Sequence, residues 1–345
     1  MIACRHGWIY IMRFISIGCP TTVPIASMEK NMRKAVALAV IGIVGMIVFG
    51  CTKTVTNTIT GSNSTTSSGE MTWTIRTAGV PGNWLGNGSH CVAWGNNEFI
   101  IVGGDSTLTS VDGKSWVAHA SNLPSSLGIA WGKNTFVAIT WDSTIYSSSD
   151  GIAWTKRLFS ASSGVYAIAW GNNQFVAVGY GAADSAANAF VSSDGITWTT
   201  NPMGKGFPTA IAWGNGRYAA VGYNDISFTS SDGKNWSPDS ANIFPGYNNL
   251  FFGAGLFLTC SDDMVYTSLD GINWNGTLLS LSDAFPQIVW DGKQFVLMSA
   301  GQVLTSIDGV NWTVQTPFSG GEIISLAAGN GIIVGLTSTN IFTSP

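Results

Sequence analysis

From residue 91 onward, short apolar runs alternate with short polar segments rich in glycine, asparagine and aspartate. One group shows the pattern: "YAIAW" and "QFVAVG" flank Gly171-Asn172-Asn173, while "AFVSS" and "ITWTT" flank Asp194-Gly195. Apolar runs bounded by such pairs predict short β-strands joined by tight turns that need a positive φ angle. The near-continuous apolar character of the first two strands predicts that both of their faces are covered. Each group therefore predicts a unit of four strands, which we name A to D in chain order.

The four-strand pattern repeats with a nearly constant period. The string S-x-D-G-x-x-W begins at six serines spaced by 38, 44, 38, 38 and 38 residues, and a further step of 38 reaches Ser344. A second string, of which "IAWGNNQFVAVG" is typical, occurs seven times in phase with the first. Four-stranded units of about forty residues that repeat about seven times predict a β-propeller, in which each blade buries its faces against both neighbours.

The last unit stops at Ser344-Pro345, before its fourth strand, while "GEMTWTIR" places Trp73 as in strand D of the other units. We expect residues 71–76 to pair with the strand around Asn340–Thr343, so that two distant parts of the chain complete the seventh blade. Such closure removes the exposed ends of the ring. The predicted fold class of residues 71–345 is therefore all-β, a seven-bladed β-propeller of four-stranded antiparallel blades.

An apolar run near the N-terminus extends from Ala35 to Phe49, follows three basic residues and ends at Gly50-Cys51. This order resembles a bacterial lipoprotein signal. The resemblance implies that residues 28–50 are a signal peptide, that Cys51 is lipidated, and that the protein is anchored at the bacterial outer membrane or cell surface. An uncleaved transmembrane anchor is the alternative, although the run is short for a membrane span.

The segments on either side of this run are assigned from their composition. Residues 1–27 show no pattern with a structural purpose, and Met28 and Met32 each offer a start, so we interpret these residues as a mis-called extension. Residues 51–70 are rich in serine, threonine and asparagine and have almost no large apolar side chain. Such a segment cannot bury enough surface to fold, which predicts a flexible tether.

Composition and charge limit the classes of function that this sequence supports. Only 10% of the residues are charged and 45% are hydrophobic, with 42 glycines and 15 tryptophans, which is typical of a β-rich protein with many turns. Basic residues are scattered singly, which argues against a nucleic-acid interface. Cys91 and Cys260 fall in well-separated units, so we expect two free, buried thiols rather than a disulfide.

The S-x-D-G-x-x-W string resembles the Asp-box, or BNR, repeat of sialidase-like propellers, with one residue fewer between aspartate and glycine. The resemblance covers roughly residues 71–345. It implies a structural turn in which the carboxylate holds backbone amides between strands C and D and the tryptophan packs between blades. The residues concerned are Asp112, Asp150, Asp194, Asp232, Asp270, Asp308, Trp116, Trp154, Trp198, Trp236, Trp274 and Trp312. Because it also recurs in each unit, a second aromatic set is expected in the core between blades: Trp94, Trp131, Trp170, Trp213, Phe252 and Trp290.

Strand direction assigns every connection to one of two faces of the ring. The short A–B and C–D turns share one face, which we name the turn face, and the B–C and D–A loops share the other, the loop face. The longer insertions, such as "GYGAADSAANAF", fall on the loop face. Variable loops on a rigid scaffold usually carry function, so we place a binding site there, near the central channel. The candidate ligand-binding residues are Trp84, His90, Trp141, Asp142, Arg157, Tyr180, Tyr223, Asp225, Asp262 and Asp263.

A sialidase-type glycoside hydrolase is one alternative function. Such an enzyme is expected to hold the substrate carboxylate with three arginines and to use a Tyr/Glu nucleophile pair. After Cys51 the only arginines are Arg76, Arg157 and Arg217, and the last lies in an A–B turn on the wrong face. The sequence also has no His-rich metal site, G-x-S-x-G elbow or P-loop. We therefore expect no catalytic residue, no metal and no cofactor.

An assembly factor is the other alternative. Lipid-anchored seven-bladed propellers similar to this one assist the assembly of photosynthetic membrane complexes, and that family relies on an arginine-rich patch that this sequence lacks. The preferred hypothesis is a monomeric, non-catalytic envelope lipoprotein that binds a glycan, a peptide or a protein partner, and no nucleic acid.

Overall fold

The structure is a computed structural model, and it describes residues 71–77, 91–103, 106–159, 163–181, 186–223, 226–240, 249–261, 264–279, 281, 286–299, 301–315 and 319–345. Every helix or strand within these ranges is a β-strand. The same ranges hold no helix that is long and apolar enough to cross a membrane. The predictions for residues 1–70, including lipidation of Cys51, lie outside the described residues.

The described strands form seven antiparallel sheets of four, and each sheet is one blade. Blade 1 consists of β2 (Cys91–Gly95), β3 (Glu98–Val102), β4 (Ser106–Ser110) and β5 (Val117–Ala120). Blade 2 consists of β6 (Ser126–Gly132), β7 (Thr135–Thr140), β8 (Thr144–Ser148) and β9 (Thr155–Phe159). Blade 3 consists of β10 (Ser163–Gly171), β11 (Gln174–Gly181), β12 (Ala186–Ser192) and β13 (Thr199–Lys205). Blade 4 consists of β14 (Phe207–Gly214), β15 (Arg217–Tyr223), β16 (Ile226–Ser230) and β17 (Ser237–Ser240).

The remaining three blades continue this order along the chain. Blade 5 consists of β18 (Leu250–Gly253), β19 (Leu256–Ser261), β20 (Met264–Ser268) and β21 (Asn275–Leu278). Blade 6 consists of β22 (Gln287–Trp290), β23 (Phe295–Ser299), β24 (Gln302–Ser306) and β25 (Thr313–Val314). Blade 7 consists of β26 (Ile323–Gly329), β27 (Ile332–Thr337), β28 (Ile341–Ser344) and, from the start of the described chain, β1 (Thr74–Arg76).

Strand A is the innermost strand of each blade, because the A strands of neighbouring blades contact one another all the way round the ring, from β2 to β26 and back to β2. This arrangement confirms the seven-bladed propeller. The core lies between blades, as the apolar strands A and B predict. For example, Val137 and Phe175, from strands B of blades 2 and 3, belong to one buried cluster.

Blade 7 is closed by two distant segments, as predicted. Thr74 lies opposite Thr343 and Arg76 opposite Ile341, and the Arg76 Nε donates a hydrogen bond to Thr343 Oγ1 at 2.7 Å. Met71 is buried in the core between blades 6 and 7. Ser344 is fully buried, and its Oγ has no hydrogen-bond partner among the described residues.

The A–B turns adopt the backbone conformation that their sequences predict. Asn172 and Asn173 have φ angles of 45° and 60°, and Asn215 has a φ of 46°. Asparagine and glycine tolerate this left-handed region, and two such residues in succession suit the twist of a hairpin. Lys133 and Ala254 occupy the same conformation, with φ angles of 46° and 49°.

Cys91 and Cys260 are both free thiols, as predicted. Cys260 is buried and Cys91 is partly buried at the start of β2. The Cys91 Sγ donates to Ser126 O, and the Cys260 Sγ donates to Pro286 O, each at 3.4 Å. Burial raises the pKa of each thiol to about 12, so neither sulfur is a thiolate near neutral pH.

Candidate binding site on the loop face

The predicted aspartates of the S-x-D-G turns lie on the turn face and bind the backbone. In blade 6, Asp308 Oδ1 accepts hydrogen bonds from the backbone N–H groups of Val310 at 2.9 Å and Asn311 at 2.8 Å. The Ser306 hydroxyl also donates to Asp308 Oδ1, at 3.0 Å, and the Ser306 Oγ in turn accepts from the Gly309 N–H at 2.8 Å. The two backbone bonds recur in the other five turns. Their structural role, as opposed to a catalytic one, stays a prediction.

The candidate ligand-binding residues fall into two groups. Five of them lie outside the described residues: Trp84, His90, Asp225, Asp262 and Asp263. The structure describes the other five: Trp141, Asp142, Arg157, Tyr180 and Tyr223.

Tyr180 and Tyr223 lie at the loop face, at or next to the end of strand B in blades 3 and 4. The Tyr180 ring stacks on Tyr166 with a centroid distance of 5.0 Å and an interplanar angle of 5°. Its other neighbour is Phe207, which it meets edge-on at 4.9 Å. Phe207 is paired in register with Tyr223. We name Tyr166, Tyr180, Phe207 and Tyr223 the aromatic cluster; all four side chains are half-buried.

Glycines opposite the start of strand A make room for this cluster. The pairing of β10 with β11 shifts register between Val165 and Ala167, which leaves Tyr166 in a bulge. A Cβ on Gly179 would lie only 1.7 Å from Gly164 O, so the strand next to the bulge needs a glycine there. The same arrangement recurs in blade 4, where a Cβ on Gly222 would lie 1.8 Å from Phe207 O.

The aromatic cluster is uncharged. The Tyr166 hydroxyl donates to the Tyr180 hydroxyl at 3.0 Å, and burial together with this contact raises the pKa of Tyr166 to about 12. The described A strands, which form the inner wall of the ring, contain no charged residue. Half-exposed aromatic faces that carry hydroxyl groups suit an apolar side chain or a sugar ring.

Trp141 and Asp142 form a separate feature of the loop face, in the B–C loop of blade 2. The Trp141 side chain is 61% exposed, and its backbone N–H donates to Ser125 O at 3.2 Å. Asp142 Oδ1 accepts from Thr140 Oγ1 at 2.5 Å. Partial burial alone would raise the pKa of Asp142, but hydrogen bonds from Thr140 and Thr144 lower it. This carboxylate therefore stabilises its own turn, next to the exposed Trp141 side chain.

The three arginines after Cys51 lie in three different blades. The Arg157 Nε donates to Ser147 Oγ at 2.7 Å on the outermost strand of blade 2, away from the inner strands. Arg76 lies on the outermost strand of blade 7. Arg217 lies on the turn face, where its Nη1 donates to Asp270 O at 3.3 Å. They do not converge on one point, so the carboxylate clamp of a sialidase is not assembled.

The described part of the chain holds no group of three or more histidine, cysteine, aspartate or glutamate side chains that could bind a metal ion. Sequence reasoning missed Tyr166 and Phe207. The available signal was an aromatic residue near the start of strand A combined with a Gly-Tyr pair at the end of strand B, in two successive units.

The fold defines the chain as a seven-bladed β-propeller, and its described residues include a cluster of four aromatic side chains at one face. No protein-family model matches the sequence, and no curated protein matches it. The solved structures that resemble it include YCF48 bound to a D1 peptide, with a TM-score of 0.58 and 15% identity over 80% of this chain and 94% of that one. YCF48 from Cyanidioschyzon merolae gives a TM-score of 0.59 at 13% identity, over 79% of this chain and 98% of that one.

A third neighbour is PorZ, a bacterial surface component of the type-IX secretion system of Porphyromonas gingivalis. Its TM-score is 0.54 at 12% identity, and the match covers 78% of this chain and 37% of PorZ. At such low identity these likenesses show the shared propeller fold alone. None of the three is named for an enzymatic activity.

Proposed function

We propose that this chain is a non-catalytic binding protein of the bacterial cell envelope, and that its aromatic cluster holds a peptide segment of a partner protein. The proposal rests on this cluster, because its four half-buried aromatic side chains lie at the loop-face ends of two adjacent blades and form an apolar surface with few polar groups. Such surfaces are typical of binding sites that fix an apolar anchor side chain. The peptide-bound state of YCF48, a neighbour with the same fold, supports a peptide as the ligand.

The envelope location rests on the sequence. The apolar run that ends at Gly50-Cys51 resembles a lipoprotein signal. PorZ, which has a similar fold over 37% of its length, is described as a bacterial surface component, and this supports the same location. The proposal also includes the role of the S-x-D-G-x-x-W strings as Asp-box turns. An assembly role for an envelope complex is one form that partner binding could take, and it would use the same site.

A glycan is the second candidate ligand. One observation favours it: the exposed Trp141 lies on the same face as the aromatic cluster, and flat aromatic faces also stack on sugar rings. Peptide and glycan are distinguished by presenting the purified protein to a random 15-residue peptide display library and to a glycan array, in parallel with a fluorogenic sialoside assay.

The first prediction is that Tyr180→Ala weakens binding of the selected ligand at least tenfold, because buried aromatic anchors contribute roughly 2 kcal/mol or more. Tyr180→Phe keeps the ring and should retain most of the affinity if stacking dominates. Calorimetric titration of the wild type and each variant measures the change.

Ile196→Ala is the matched control, since Ile196 is an exposed hydrophobic residue of the same blade on the opposite face. It should leave the affinity unchanged. Equal affinity of wild type and Tyr180→Ala would contradict the proposed site. Turnover of the sialoside that Arg157→Ala abolishes would contradict the non-catalytic assignment.

A further inference from the structure

Exposed hydrophobic side chains are concentrated in one half of the ring. Among the described residues, eight of the ten strongly exposed large hydrophobic side chains belong to blades 5, 6, 7 and 1, which are consecutive around the ring. The other two lie in blades 2 and 3. We name the eight the apolar sector: Ile75, Val111, Val117, Leu269, Leu278, Ile307, Val310 and Val314.

The S-x-D-G turns show that this distribution does not come from the fold. The residue between serine and aspartate is Val111, Leu269 or Ile307 in blades 1, 5 and 6, with exposures of 67%, 69% and 74%. In blades 2, 3 and 4 the equivalent residue is an exposed serine. All six turns make the same backbone hydrogen bonds to the aspartate, so the turn accepts serine without change. The aliphatic residues are therefore available for contact with something outside the ring.

The outer wall of the same blades continues this character. The D strands of blades 5, 6, 7 and 1 expose Leu278, Val314, Ile75 and Val117, whereas strand D of blade 2 exposes Lys156 and Arg157. The exposed aliphatic groups therefore occupy both the turns and the outer strands of consecutive blades, a distribution that favours an interaction surface on this side of the ring.

The course of the chain indicates what covers this surface. Strand β1 is the outermost strand of blade 7, in the middle of the apolar sector, and the chain enters it from the turn face, where Met71 lies. In the sequence, residues 51–70 separate Met71 from the apolar run that ends beside Cys51. A flexible linker of this length has an end-to-end distance on the order of 25 Å, less than the width of a domain of this size.

We propose that three turn-face side chains of the apolar sector, Val111, Leu269 and Ile307, rest on the surface of the lipid bilayer in which the chain is anchored. This inference rests on the proposed lipid anchor at Cys51. Aliphatic side chains at the tips of rigid turns insert into the headgroup region, where burial of their apolar area is favourable. Contact through this sector turns the loop face and its aromatic cluster away from the membrane, where a partner can reach them.

The test uses the full, processed chain in vesicles of phosphatidylethanolamine and phosphatidylglycerol. An environment-sensitive fluorophore is attached through Ile307→Cys in one sample and through Ser231→Cys, the equivalent turn position in blade 4, in the other. Cys91 and Cys260 are left in place, because burial suppresses their thiolates. Spin-labelled lipid should quench the Ile307→Cys probe at least threefold more than the Ser231→Cys probe.

Three results would overturn the proposal. Equal quenching at both positions means that the ring has no preferred orientation. Quenching at neither position, with the protein still bound to the vesicles, means that the sector does not touch lipid. Protection of the Ile307→Cys probe in lipid-free protein, with a dimeric mass by light scattering, means that a second copy covers the sector. Failure of the chain to associate with membranes at all would refute the lipid anchor, whereas the Tyr180→Ala titration tests ligand binding without a membrane.

Discussion

One contact between a glycine and an aromatic side chain is repeated around the inner wall of the propeller. A Cβ on Gly171, the last residue of strand A in blade 3, would lie 2.0 Å from Trp213 in blade 4. The same relation links Gly329 of blade 7 to Trp94 of blade 1, at 2.1 Å. Blade 6 is the exception: it has Asp291 at this position, and the facing residue of blade 7 is Ala328, which has no ring. The glycine is thus needed only where an aromatic side chain of the next blade covers it.

Gly171→Ala should therefore destabilise the protein by about 1–3 kcal/mol, since the added methyl group overpacks a contact that has no space for it. Trp213→Ala should cost about 3 kcal/mol by leaving a cavity between the blades. In the double variant the alanine at position 171 should add almost nothing, because the ring that it would meet is gone. Urea unfolding of the four proteins measures the coupling, and strictly additive costs would contradict the account.

The C–D turn places one aspartate carboxylate in each of six blades. Partial burial alone would raise the pKa of Asp308, but the backbone N–H groups of Asn311 and Val310, the Asn311 amide and the Ser306 hydroxyl lower it to about 2. The same causes lower the pKa of Asp270 to about 2. An aspartate has an ordinary pKa of about 3.9 in an unfolded chain. Because the folded pKa is lower, these turns contribute stability that is complete above about pH 4 and is lost as the pH falls through about 2.

Asp308→Asn should remove part of this pH dependence and should lower the free energy of unfolding by about 1 kcal/mol at pH 7. The value is modest because solvent screens a carboxylate that is only partly buried. The midpoint of urea unfolding, measured from pH 7 to pH 2, gives both quantities. Ile307→Ser is the matched control, since serine stands at that position in blades 2 to 4, and its pH dependence should match that of the wild type. An unchanged pH profile in Asp308→Asn would show that the turn hydrogen bonds do not act through the charge.

The strands and turns could be predicted because each follows from local pattern. Alternating apolar runs mark the strands, and Asn-Asn, Asn-Gly and Asp-Gly pairs mark turns that need a positive φ. The candidate site could be predicted only in part. Tyr180 stands out because it follows a glycine at the end of strand B, but Tyr166 lies in a bulge that shifts the alternation by one residue. Arg157 lies on the outermost strand of blade 2. Sequence indicates which face of the ring a residue is near more readily than it indicates the distance of that residue from the axis of the ring.

The described part of the molecule combines two surface features on one ring. The aromatic cluster lies on the loop face of blades 3 and 4, whereas the apolar sector occupies blades 5, 6, 7 and 1, and the described chain enters the ring in the middle of that sector, at blade 7. Under the proposals above, the anchor and the membrane contact are therefore on one side of the ring, and the ligand site is on another. A partner could be held at the loop face while the protein stays on the membrane.

Closure of blade 7 by β1 determines whether these surfaces keep their positions, so the last prediction concerns this strand. Deleting residues 71–76 exposes the edge of β28 and removes the buried Met71 and the packed Trp73 from the core between blades 6 and 7. The deletion should lower the free energy of unfolding by about 4 kcal/mol, because roughly two large side chains are no longer buried. In a domain of this size, that change should lower the melting temperature by about 10 °C. Deleting residues 57–62 shortens the linker by the same length and should leave the melting temperature unchanged.

A synthetic peptide of residues 69–77 should restore the melting temperature of the deletion variant in a concentration-dependent way, because it adds the missing strand to an open sheet edge. A shift below about 2 °C, or no response to the peptide, would mean that six blades and three strands hold the ring without this closure.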